Sequence, residues 1–328
     1  MARVGRVLVV QPAFIGDVVF TSALVEALAE RFAEVDVCVT PHARDVALAM
    51  PRAARAQVFD KRGADKGIGG LWRAARRLRD RGYDLAVLPH RSPRSALLAL
   101  FARIPRRIGF AGAPGSPFYT ERVAAPPGTY LSREAALARA AGAEPRPMTL
   151  APRPEWVRAA DERLANATAI AALCIGSEWE TKIWPAQHFA ELADHLAERG
   201  LLPVLLGGAR EAVLAEAVQA RAGARCLDTT GNPVGEALAI LARAAIVVGG
   251  DTGLVHAARA LGIPTVALFG PSSAAVHEMG ERQRAVSLGL ECSPCSAHGQ
   301  RHCPLGHHRC MRDLSAAAVL AHCDAVLS

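Results

Sequence analysis

The sequence predicts an α/β protein with two domains, each built around a doubly wound parallel sheet. Short apolar runs alternate with segments of helical periodicity along the 328-residue chain, a pattern typical of parallel βαβ units. The chain is long for one hydrophobic core and comfortable for two. A proline-rich interruption near its middle marks the boundary between them.

In the first half, five apolar runs are predicted as strands, at residues 6–10, 35–40, 57–60, 84–89 and 106–110. Helical periodicity lies between these runs and is clearest at residues 17–32 and 71–81. The alternation favours a parallel sheet over an all-β or all-α fold.

The segment EPRPMTLAPRPEW (residues 144–156) has four prolines and can continue neither a helix nor a central strand. It is therefore predicted to link a domain of residues 1–150 to a domain of residues 151–328. The second half repeats the pattern, with strands predicted at residues 169–175, 202–206, 245–248 and 265–269. Two such domains would face a cleft, and in open α/β sheets ligands bind at the carboxyl ends of strands. Functional residues are thus expected in the loops that directly follow strands.

Charge is unevenly distributed along the chain. Residues 1–150 contain 23 Lys/Arg and 13 Asp/Glu, whereas residues 151–328 contain 15 and 18. The positive first half is expected to meet an anionic partner. The apolar run in MARVGRVLVVQPAF is too short for a signal peptide or a membrane span, and no later run reaches about 20 apolar residues. The sequence therefore predicts a cytoplasmic protein whose eight cysteines stay reduced.

The loop after the first predicted strand contains Gly16 and Asp17. Glycine permits unusual backbone conformations, and Asp17 is predicted to cap the following helix. A helix N-terminus keeps a carboxylate ionised, which suits a general base that accepts a proton from a hydroxyl group. Asp17 is therefore interpreted either as a helix cap or as a catalytic base.

The segment VVGGDTGLVHAARALGIPTVALFGPSS has the features of an anion site. Its glycine pair would let the backbone approach a ligand, and the amides of Thr252 and Gly253 open a helix whose N-terminus suits a diphosphate. Asp251 could accept hydrogen bonds from sugar hydroxyls. His256 lies one turn beyond Thr252, where it either faces the site or is a structural histidine. Neither G-x-G-x-x-G nor G-x-x-x-x-G-K-[ST] occurs, which argues against dinucleotide and P-loop sites.

Two further loops contribute candidate ligand-binding residues. Lys182, in GSEWETKIWP, is the only lysine after residue 150 of an arginine-rich chain. Its position after a strand favours a phosphate contact over a solvated surface lysine, and the adjacent Thr181 is assigned to the same site. Glu211, at a later helix start, could bind ribose hydroxyls or simply interact with the helix dipole.

These segments together resemble glycosyltransferase family 9, the ADP-heptose:lipopolysaccharide heptosyltransferases. The resemblance rests on RVLVVQPAFIGDVVFTSALVEAL, GSEWETKIWP and the DTG-containing segment, and it runs in order through nearly the whole chain. The stretch LPHRSPRSALLALFARIPRRIG is more similar to heptosyltransferase II than to I. The resemblance implies a GT-B fold of two Rossmann-like domains, an inverting mechanism and no required divalent metal ion.

The resemblance also implies roles for the candidate residues. Asp17 matches the catalytic base, and Lys182 would stabilise the departing ADP. The donor ADP-heptose would be bound by Lys182, Glu211, Asp251, Thr252, Gly253 and His256. The implied acceptor is the anionic lipopolysaccharide inner core, as Kdo-lipid A or heptosyl-Kdo-lipid A.

Arginines of the first half are expected to serve that anionic acceptor. Arg91, Arg94 and Arg107 flank predicted strand ends, and guanidinium groups match carboxylates and phosphates. A helix with four more arginines (Arg73, Arg76, Arg77 and Arg79) also offers Leu71, Trp72 and Leu78. It is interpreted either as an ordinary solvated amphipathic helix or as a peripheral contact with the inner face of the inner membrane.

Near the C-terminus the sequence CSPCSAHGQRHCPLGHHRCM concentrates thiols. Four thiols so close in a reducing compartment favour a structural zinc or iron site over disulfides, although the spacing fits no standard zinc ribbon. Partly buried thiols are the alternative, and neighbouring histidines (His298, His302, His307 and His308) could substitute as ligands. The predicted metal ligands are Cys292, Cys295, Cys303 and Cys310.

Other functions were weighed against this one. A GT-B enzyme with a different nucleotide sugar and a sugar-nucleotide epimerase are the nearest alternatives. A nucleic-acid-binding protein with a metal site at the cysteines belongs to a different class. It is disfavoured because the excess positive charge lies in residues 1–150, the cysteines lie at 292–310 and aromatic residues are only 5%.

Overall fold

The computed structural model describes residues 5–165 and 167–328. The chain divides into two compact units with the boundary between Ala151 and Pro152. The first unit contains β1 (Arg6–Val10), α1 (Ile15–Arg31), β2 (Glu34–Val39), α2 (Arg44–Leu48), β3 (Arg55–Val58), α3 (Gly67–Arg79), β4 (Leu85–Leu88), α4 (Pro93–Phe101), β5 (Arg106–Phe110), β6 (Glu121–Val123) and α5 (Tyr130–Ala140).

The six strands of the first unit form one parallel sheet in the order β3-β2-β1-β4-β5-β6. Val7 to Val10 of β1 are fully buried, as expected for a central strand covered on both faces by helices. The strand order reverses between β1 and β4, and loops beyond the carboxyl ends of such neighbouring strands are where ligands bind in open α/β sheets.

The second unit repeats this architecture. It contains α6 (Pro154–Leu164), β7 (Ile170–Cys174), α7 (Ala186–Glu198), β8 (Leu202–Leu206), α8 (Ala212–Gln219), β9 (Leu227–Asp228), α9 (Val234–Arg243), β10 (Ala244–Gly250), α10 (Gly253–Ala260), β11 (Thr265–Leu268), β12 (Gln283–Val286), α11 (Arg309–Arg312) and α12 (Ala316–Leu327). Its parallel sheet has the order β12-β11-β10-β7-β8-β9. The reversal of strand order therefore falls between β7 and β10.

The predicted fold class is confirmed, and the differences lie at the edges. The sequence did not reveal β6, β9 and β12, which are two to four residues long and form three of the four outer strands of the two sheets. Edge strands carry charged residues and need no continuous apolar run, so their pattern is weak. None of the helices in the described ranges 5–165 and 167–328 combines the length and the apolar character that a membrane span requires.

The start of α1 corrects one prediction. The helix begins at Ile15 with Phe14 at the N-cap position, and the cap makes no side-chain hydrogen bond. Asp17 therefore lies within the first helical turn and does not cap it. An acidic residue in this turn is still stabilised by the helix dipole, so the helix N-terminus is still expected to favour the ionised carboxylate of Asp17.

Candidate active site

Asp17 lies directly beyond the carboxyl end of β1 and is half-buried. The buried amide of Gln11 donates a hydrogen bond to Thr21 Oγ1 over 3.2 Å, and the Thr21 hydroxyl donates to the backbone carbonyl of Asp17 over 3.0 Å. These bonds hold the first turn of α1 against the end of β1. A carboxylate fixed at a helix N-terminus is suited to accept a proton.

Lys61 and His90, which were not among the predicted site residues, follow β3 and β4, two strands of the same sheet that are separated in it by β2 and β1. Lys61 Nζ donates to the backbone carbonyl of Pro12 over 2.6 Å, which ties the loop after β3 to the loop after β1. His90 Nδ1 lies 2.6 Å from Ser95 Oγ. Burial, followed by the nearby charge of Lys61, lowers the pKa of His90 to about 4 and keeps the ring neutral. The sequence feature that could have indicated Lys61 and His90 is their position shortly after the predicted strands that became β3 and β4.

Glu134 on α5 is a second buried carboxyl group near Asp17. The stacked rings of Phe20 and Tyr130, with centroids 4.9 Å apart, fasten α5 to α1. Glu134 is 6% exposed, and within the described chain its Oε2 atom has no hydrogen-bond partner. Burial, together with the charge of Asp17, raises the pKa of Glu134 to about 8. Glu134 is therefore mainly protonated at neutral pH.

The three arginines predicted for the acceptor have different environments. Arg91 makes one long bond, to the carbonyl of Gly112 over 3.3 Å, and Arg94 donates to the carbonyl of Asp65 over 2.7 Å. Arg107 lies near the amino end of β5, and its guanidinium donates to the carbonyls of Ile104 and Phe118. The placement of Arg107 with the other two was therefore wrong, because the amino ends of parallel strands lie at the edge opposite Asp17.

The arginine-rich helix α3 also differs from the expectation. Leu71 and Leu78 are buried and pack into the first unit, so they offer no external apolar contact. Arg77 pairs with Asp65 at 2.9 Å. The exposed apolar side chains of α3 are Ile68 and Trp72, at 74% and 49% exposure.

In the second unit, Lys182 and Asp251 follow the two strands at which the strand order reverses, β7 and β10. Lys182 Nζ lies 2.5 Å from Asp251 Oδ2 and 3.1 Å from the backbone carbonyl of the same residue. Both side chains are over 90% buried. A Cβ atom at Gly250 would lie 2.6 Å from the carbonyl of Lys182. Glycine is therefore needed there because the Lys182 loop approaches β10, whereas the sequence suggested that a ligand does.

Asp251 is the centre of a buried hydrogen-bonded network. Its Oδ1 atom lies 2.9 Å from His256 Nε2 and 3.4 Å from His277 Nε2, and the Ser272 hydroxyl donates to its Oδ2 atom over 2.7 Å. Burial alone would raise the pKa of Asp251, but the hydrogen bond from His256 and the charge of Lys182 hold it far below its usual range. Asp251 is therefore ionised at every physiological pH.

The two histidines of this network are neutral. Burial lowers the pKa of His256, and burial lowers the pKa of His277 to about 3. Arg259 donates to His256 Nδ1 over 3.2 Å, which leaves the proton on Nε2, facing Asp251. The ligand atoms of Asp251, His256 and His277 all lie within 4.8 Å of one another. The two cations Lys182 and Arg259 already neutralise this cluster, so it fits a hydrogen-bonded network better than a metal site.

The remaining predicted donor residues lie at the same edge of the second sheet. Helix α10 begins at Gly253 with Thr252 as its N-cap residue. Glu211 is half-buried, and a Cβ atom at Gly176 would lie 2.5 Å from Glu211 Cγ. The glycine after β7 therefore makes room for a carboxylate that comes from the loop after β8. Glu211, Lys182, Asp251 and the start of α10 thus follow three adjacent strands.

Thr181 is placed differently from the prediction. Its hydroxyl donates to the carbonyl of Gln300 and accepts from the Gln300 amide, both over 2.8 Å. Thr181 is 4% exposed. It therefore holds the Lys182 loop to a later segment and does not offer its hydroxyl to a ligand.

The predicted cysteine ligands lie in one segment of the second unit, with Cys310 buried and the other three more accessible. Burial raises the pKa of the Cys310 thiol to about 11, and the neighbouring thiolates of Cys295, Cys303 and Cys292 add to this rise. Cys38, Cys174, Cys226 and Cys323 are buried elsewhere.

The chain has two doubly wound units. One carries a carboxylate in the first turn of a helix, and the other carries a buried Lys–Asp pair beside a helix N-terminus. This combination is that of a glycosyltransferase of the GT-B class. The chain belongs to glycosyltransferase family 9 (heptosyltransferase), whose family model matches residues 71–305.

Individual relatives agree with this assignment. The chain is 30% identical over 297 residues to lipopolysaccharide heptosyltransferase 2 of Salmonella typhimurium, covering 82% of this chain and 83% of the relative. The structure of the E. coli ADP-heptose lps heptosyltransferase II superposes with a TM-score of 0.81 at 25% identity, covering 98% of both chains. A family 9 glycosyltransferase from Veillonella parvula superposes with a TM-score of 0.88 at 22% identity, covering 100% of this chain and 98% of that one.

Proposed function

We propose that this chain transfers heptose from ADP-heptose to the inner core of lipopolysaccharide, with inversion at the anomeric carbon. The names of the Salmonella relative and the E. coli structure support this donor and acceptor class. The observation that carries the proposal is the buried Lys182–Asp251 pair beside the N-terminus of α10. This pair places a fixed cation where a helix N-terminus already favours a diphosphate.

Donor binding follows from the donors and acceptors at this edge. An ammonium group has three N–H donors, and two atoms of Asp251 accept from Lys182 Nζ. One donor of Lys182 therefore remains for a phosphate oxygen, and the amides of Thr252 and Gly253 offer more. We assign the half-buried carboxylate of Glu211 to the ribose hydroxyls, from which it would accept hydrogen bonds. His256 keeps Asp251 ionised and oriented toward the donor.

In the transfer step, Asp17 takes the proton of the acceptor hydroxyl while the hydroxyl oxygen bonds to the anomeric carbon of heptose. The bond from that carbon to the diphosphate oxygen breaks, and its electron pair leaves with ADP. Attack from the face opposite ADP inverts the configuration. General-base assistance of this kind is typically worth about 10²–10⁴ in rate.

Departing ADP gains negative charge as the bond breaks. Lys182 and the amides that open α10 are fixed before the reaction, so they stabilise this charge without reorganising. The proposed chemistry therefore draws its electrostatic stabilisation from the chain itself and includes no cofactor.

On the acceptor side we assign Arg91 and Arg94 to the carboxylates and phosphates of a Kdo-lipid A or heptosyl-Kdo-lipid A acceptor. Both residues lie just after β4, at the same edge of the first sheet as Asp17. Such an acceptor is anchored in a bilayer, so we place the reaction at the cytoplasmic face of the inner membrane, with peripheral contact through the first unit.

A transfer assay with product analysis tests this function. Purified protein is incubated with ADP-heptose and truncated core acceptors ending in Kdo or in heptosyl-Kdo, and the anomeric configuration of the product is read by NMR. UDP- and GDP-sugars serve as competing donors. Transfer from ADP-heptose with inversion is expected. Retention of configuration, or preference for another nucleotide sugar, would contradict the proposal.

A further inference from the structure

The loop that carries Lys182 is fastened to residues 293–300, the brace segment of the second unit. Thr181 N donates to the carbonyl of Gln300 over 3.1 Å, and the Thr181 hydroxyl makes two further hydrogen bonds with the Gln300 backbone, each over 2.8 Å. All three bonds belong to the residue directly before the donor lysine. The backbone of Gln300 is therefore an anchor for the Lys182 loop.

The brace segment also packs directly on the lysine. A Cβ atom at Gly299, where φ is +92°, would lie 3.1 Å from Lys182 Cε and 2.8 Å from Trp179 Cβ. The Gly299 backbone is therefore one wall around the aliphatic stem of Lys182. Glycine is needed there both because the space is filled and because its backbone conformation is strained for other residues.

The other end of the brace segment is tied to the loop after β11. The amides of Cys295 and Ser296 both donate to the carbonyl of Pro271 over 3.0 Å. The Ser293 hydroxyl donates to the carbonyl of Gly270. Three hydrogen bonds therefore attach this end of the segment to two consecutive residues of that loop.

This attachment leads to the partner of the lysine. Pro271 directly precedes Ser272, whose hydroxyl donates to Asp251 Oδ2 over 2.7 Å. The same oxygen atom accepts from Lys182 Nζ. The brace segment thus connects the loop that carries Lys182 with a loop that holds Asp251.

The brace segment is itself closed by one of its own side chains. Ser296 Oγ accepts from the amides of His298 and Gly299 over 3.2 and 3.0 Å, and it donates to the carbonyl of Gly299 over 3.1 Å. Serine side chains that bond nearby backbone groups in this way stabilise turns. The turn therefore fixes the separation between the attachment at Pro271 and the wall at Gly299.

We infer that the brace segment positions the donor lysine, and that Thr181 and Gly299 are positioning residues that act through Lys182. Lys182 offers its remaining N–H donor to a diphosphate only while Nζ stays at the start of α10. The brace segment fixes both the loop before the lysine and the stem of its side chain. The effect on donor binding rests on the proposed function, whereas the position of Lys182 can be measured without any ligand.

Lysine NMR tests the position directly. The chain has only three lysines, Lys61, Lys66 and Lys182, so labelling lysine Cε with ¹³C gives three signals, each assigned by a Lys→Arg variant. Thr181→Val keeps the shape of the side chain but removes both hydroxyl bonds, and it should shift or broaden the Lys182 signal alone. Thr181→Ser restores the hydroxyl and should restore the signal.

A second variant and a matched control complete this test. Gly299→Ala disturbs the wall without touching the Thr181 bonds, and it should also move the Lys182 signal. Thr265→Val removes the hydroxyl bond of another buried threonine of the same unit, at the amino end of β11, and should leave all three signals in place. A Lys182 signal that is identical in wild type, Thr181→Val and Gly299→Ala would overturn the inference.

Titration with ADP and steady-state kinetics test the consequence for the donor. Thr181→Val should raise the Kd for ADP and the donor KM about tenfold, because a displaced ammonium group loses its bond to phosphate. The acceptor KM should stay unchanged, and Thr181→Ser should recover the affinity. A moved Lys182 signal with unchanged ADP affinity, or an equal rise in the acceptor KM, would contradict the link to donor binding. If wild-type protein does not bind ADP at all, the proposed function fails, and the lysine signals still decide the role of the brace segment.

Discussion

Lys182 and Asp251 form a buried ion pair, with Nζ 2.5 Å from Oδ2, although 69 positions separate them in the chain. Removing one partner of a buried pair leaves an uncompensated charge, which is costly. His256 and Ser272 supply further hydrogen bonds to Asp251, and His277 Nε2 lies 3.4 Å from it, so the carboxylate stays ordered and ionised. The pair therefore presents a cation of fixed position at the start of α10.

Replacing Lys182 tests its role in donor binding. Lys182→Ala is expected to weaken ADP binding about 10- to 150-fold, because a hydrogen bond to a charged group contributes about 1.5–3 kcal/mol. Isothermal titration with ADP measures the change. Arg210→Ala removes an exposed cation that pairs with Glu178 near the same loop, and it should leave ADP affinity unchanged. Equal affinity in Lys182→Ala and wild type would remove Lys182 from the donor site.

Replacing Asp17 separates base catalysis from binding. Asp17→Asn keeps the shape of the side chain but cannot accept the acceptor's proton, so kcat should fall about 10²–10⁴-fold while the Kd for ADP stays constant. Asp45→Asn is the matched control, since Asp45 also lies in the first turn of a helix of the same unit. Full turnover by Asp17→Asn would reduce Asp17 to a helix-stabilising residue.

The sequence predicted the strands and the loops that carry these sites better than it predicted the side-chain contacts within them. Lys182, Asp251 and Thr252 were predicted as site residues because each lies in a loop that follows a strand and has a residue type suited to phosphates or sugars. His277 and Ser272 were not predicted because no sequence feature next to them indicates a contact with Asp251, and only the fold brings them to it. Periodicity predicts which residues lie on helices and strands, whereas contacts across many positions depend on how these elements pack.

Glu134 was also not predicted from the sequence, because its burial near Asp17 depends on how α5 packs on α1. Its environment leads to a prediction about the pH dependence of stability. Its pKa is raised to about 8 in the folded protein, against an ordinary value near 4.5. The folded chain therefore binds a proton that the unfolded chain releases between about pH 4.5 and pH 8, and stability is lost as pH rises through this window.

Glu134→Gln removes this titration while keeping a neutral side chain of similar size. The free energy of unfolding of wild type relative to Glu134→Gln should decline from pH 4.5 to pH 8, by on the order of a few kcal/mol. Denaturant titrations at several pH values measure it. Glu144→Gln, at an exposed position of the same unit, should show no such trend. Parallel pH profiles for wild type and Glu134→Gln would contradict the raised pKa.

Of the two arginines assigned to the acceptor, Arg91 is held less firmly by the fold than Arg94, because its guanidinium makes a single 3.3 Å bond, to Gly112. Arg91→Ala should therefore raise the acceptor KM about tenfold and leave donor affinity unchanged, because a guanidinium contact with a carboxylate or phosphate is lost. Steady-state kinetics with a truncated core acceptor measure the change. Arg55→Ala, an exposed arginine at the amino end of β3, is the control. An unchanged acceptor KM in Arg91→Ala would exclude Arg91 from the acceptor site.

Helix α3 presents the surface best suited to peripheral membrane contact. Ile68 and Trp72 are exposed and lie four residues apart, so they share one face of the helix, and Arg73 and Arg76 lie beside them and are exposed. Apolar side chains flanked by arginines are the combination that binds anionic interfaces. Trp72 also stacks on Phe101 with centroids 4.5 Å apart, which fixes the orientation of its ring.

Vesicle binding tests this surface. The double substitution Ile68→Ser with Trp72→Ser should weaken binding to vesicles containing anionic lipid at least about tenfold, because buried apolar area contributes roughly 25 cal/mol per Å². Arg73→Ala with Arg76→Ala should weaken it by about 1 kcal/mol per charge, and added salt should do the same. Val213→Ser, at an equally exposed apolar position of the second unit, should have no effect. If sedimentation with vesicles is the same for all these variants, α3 does not contact the membrane and the acceptor must be reached through another surface.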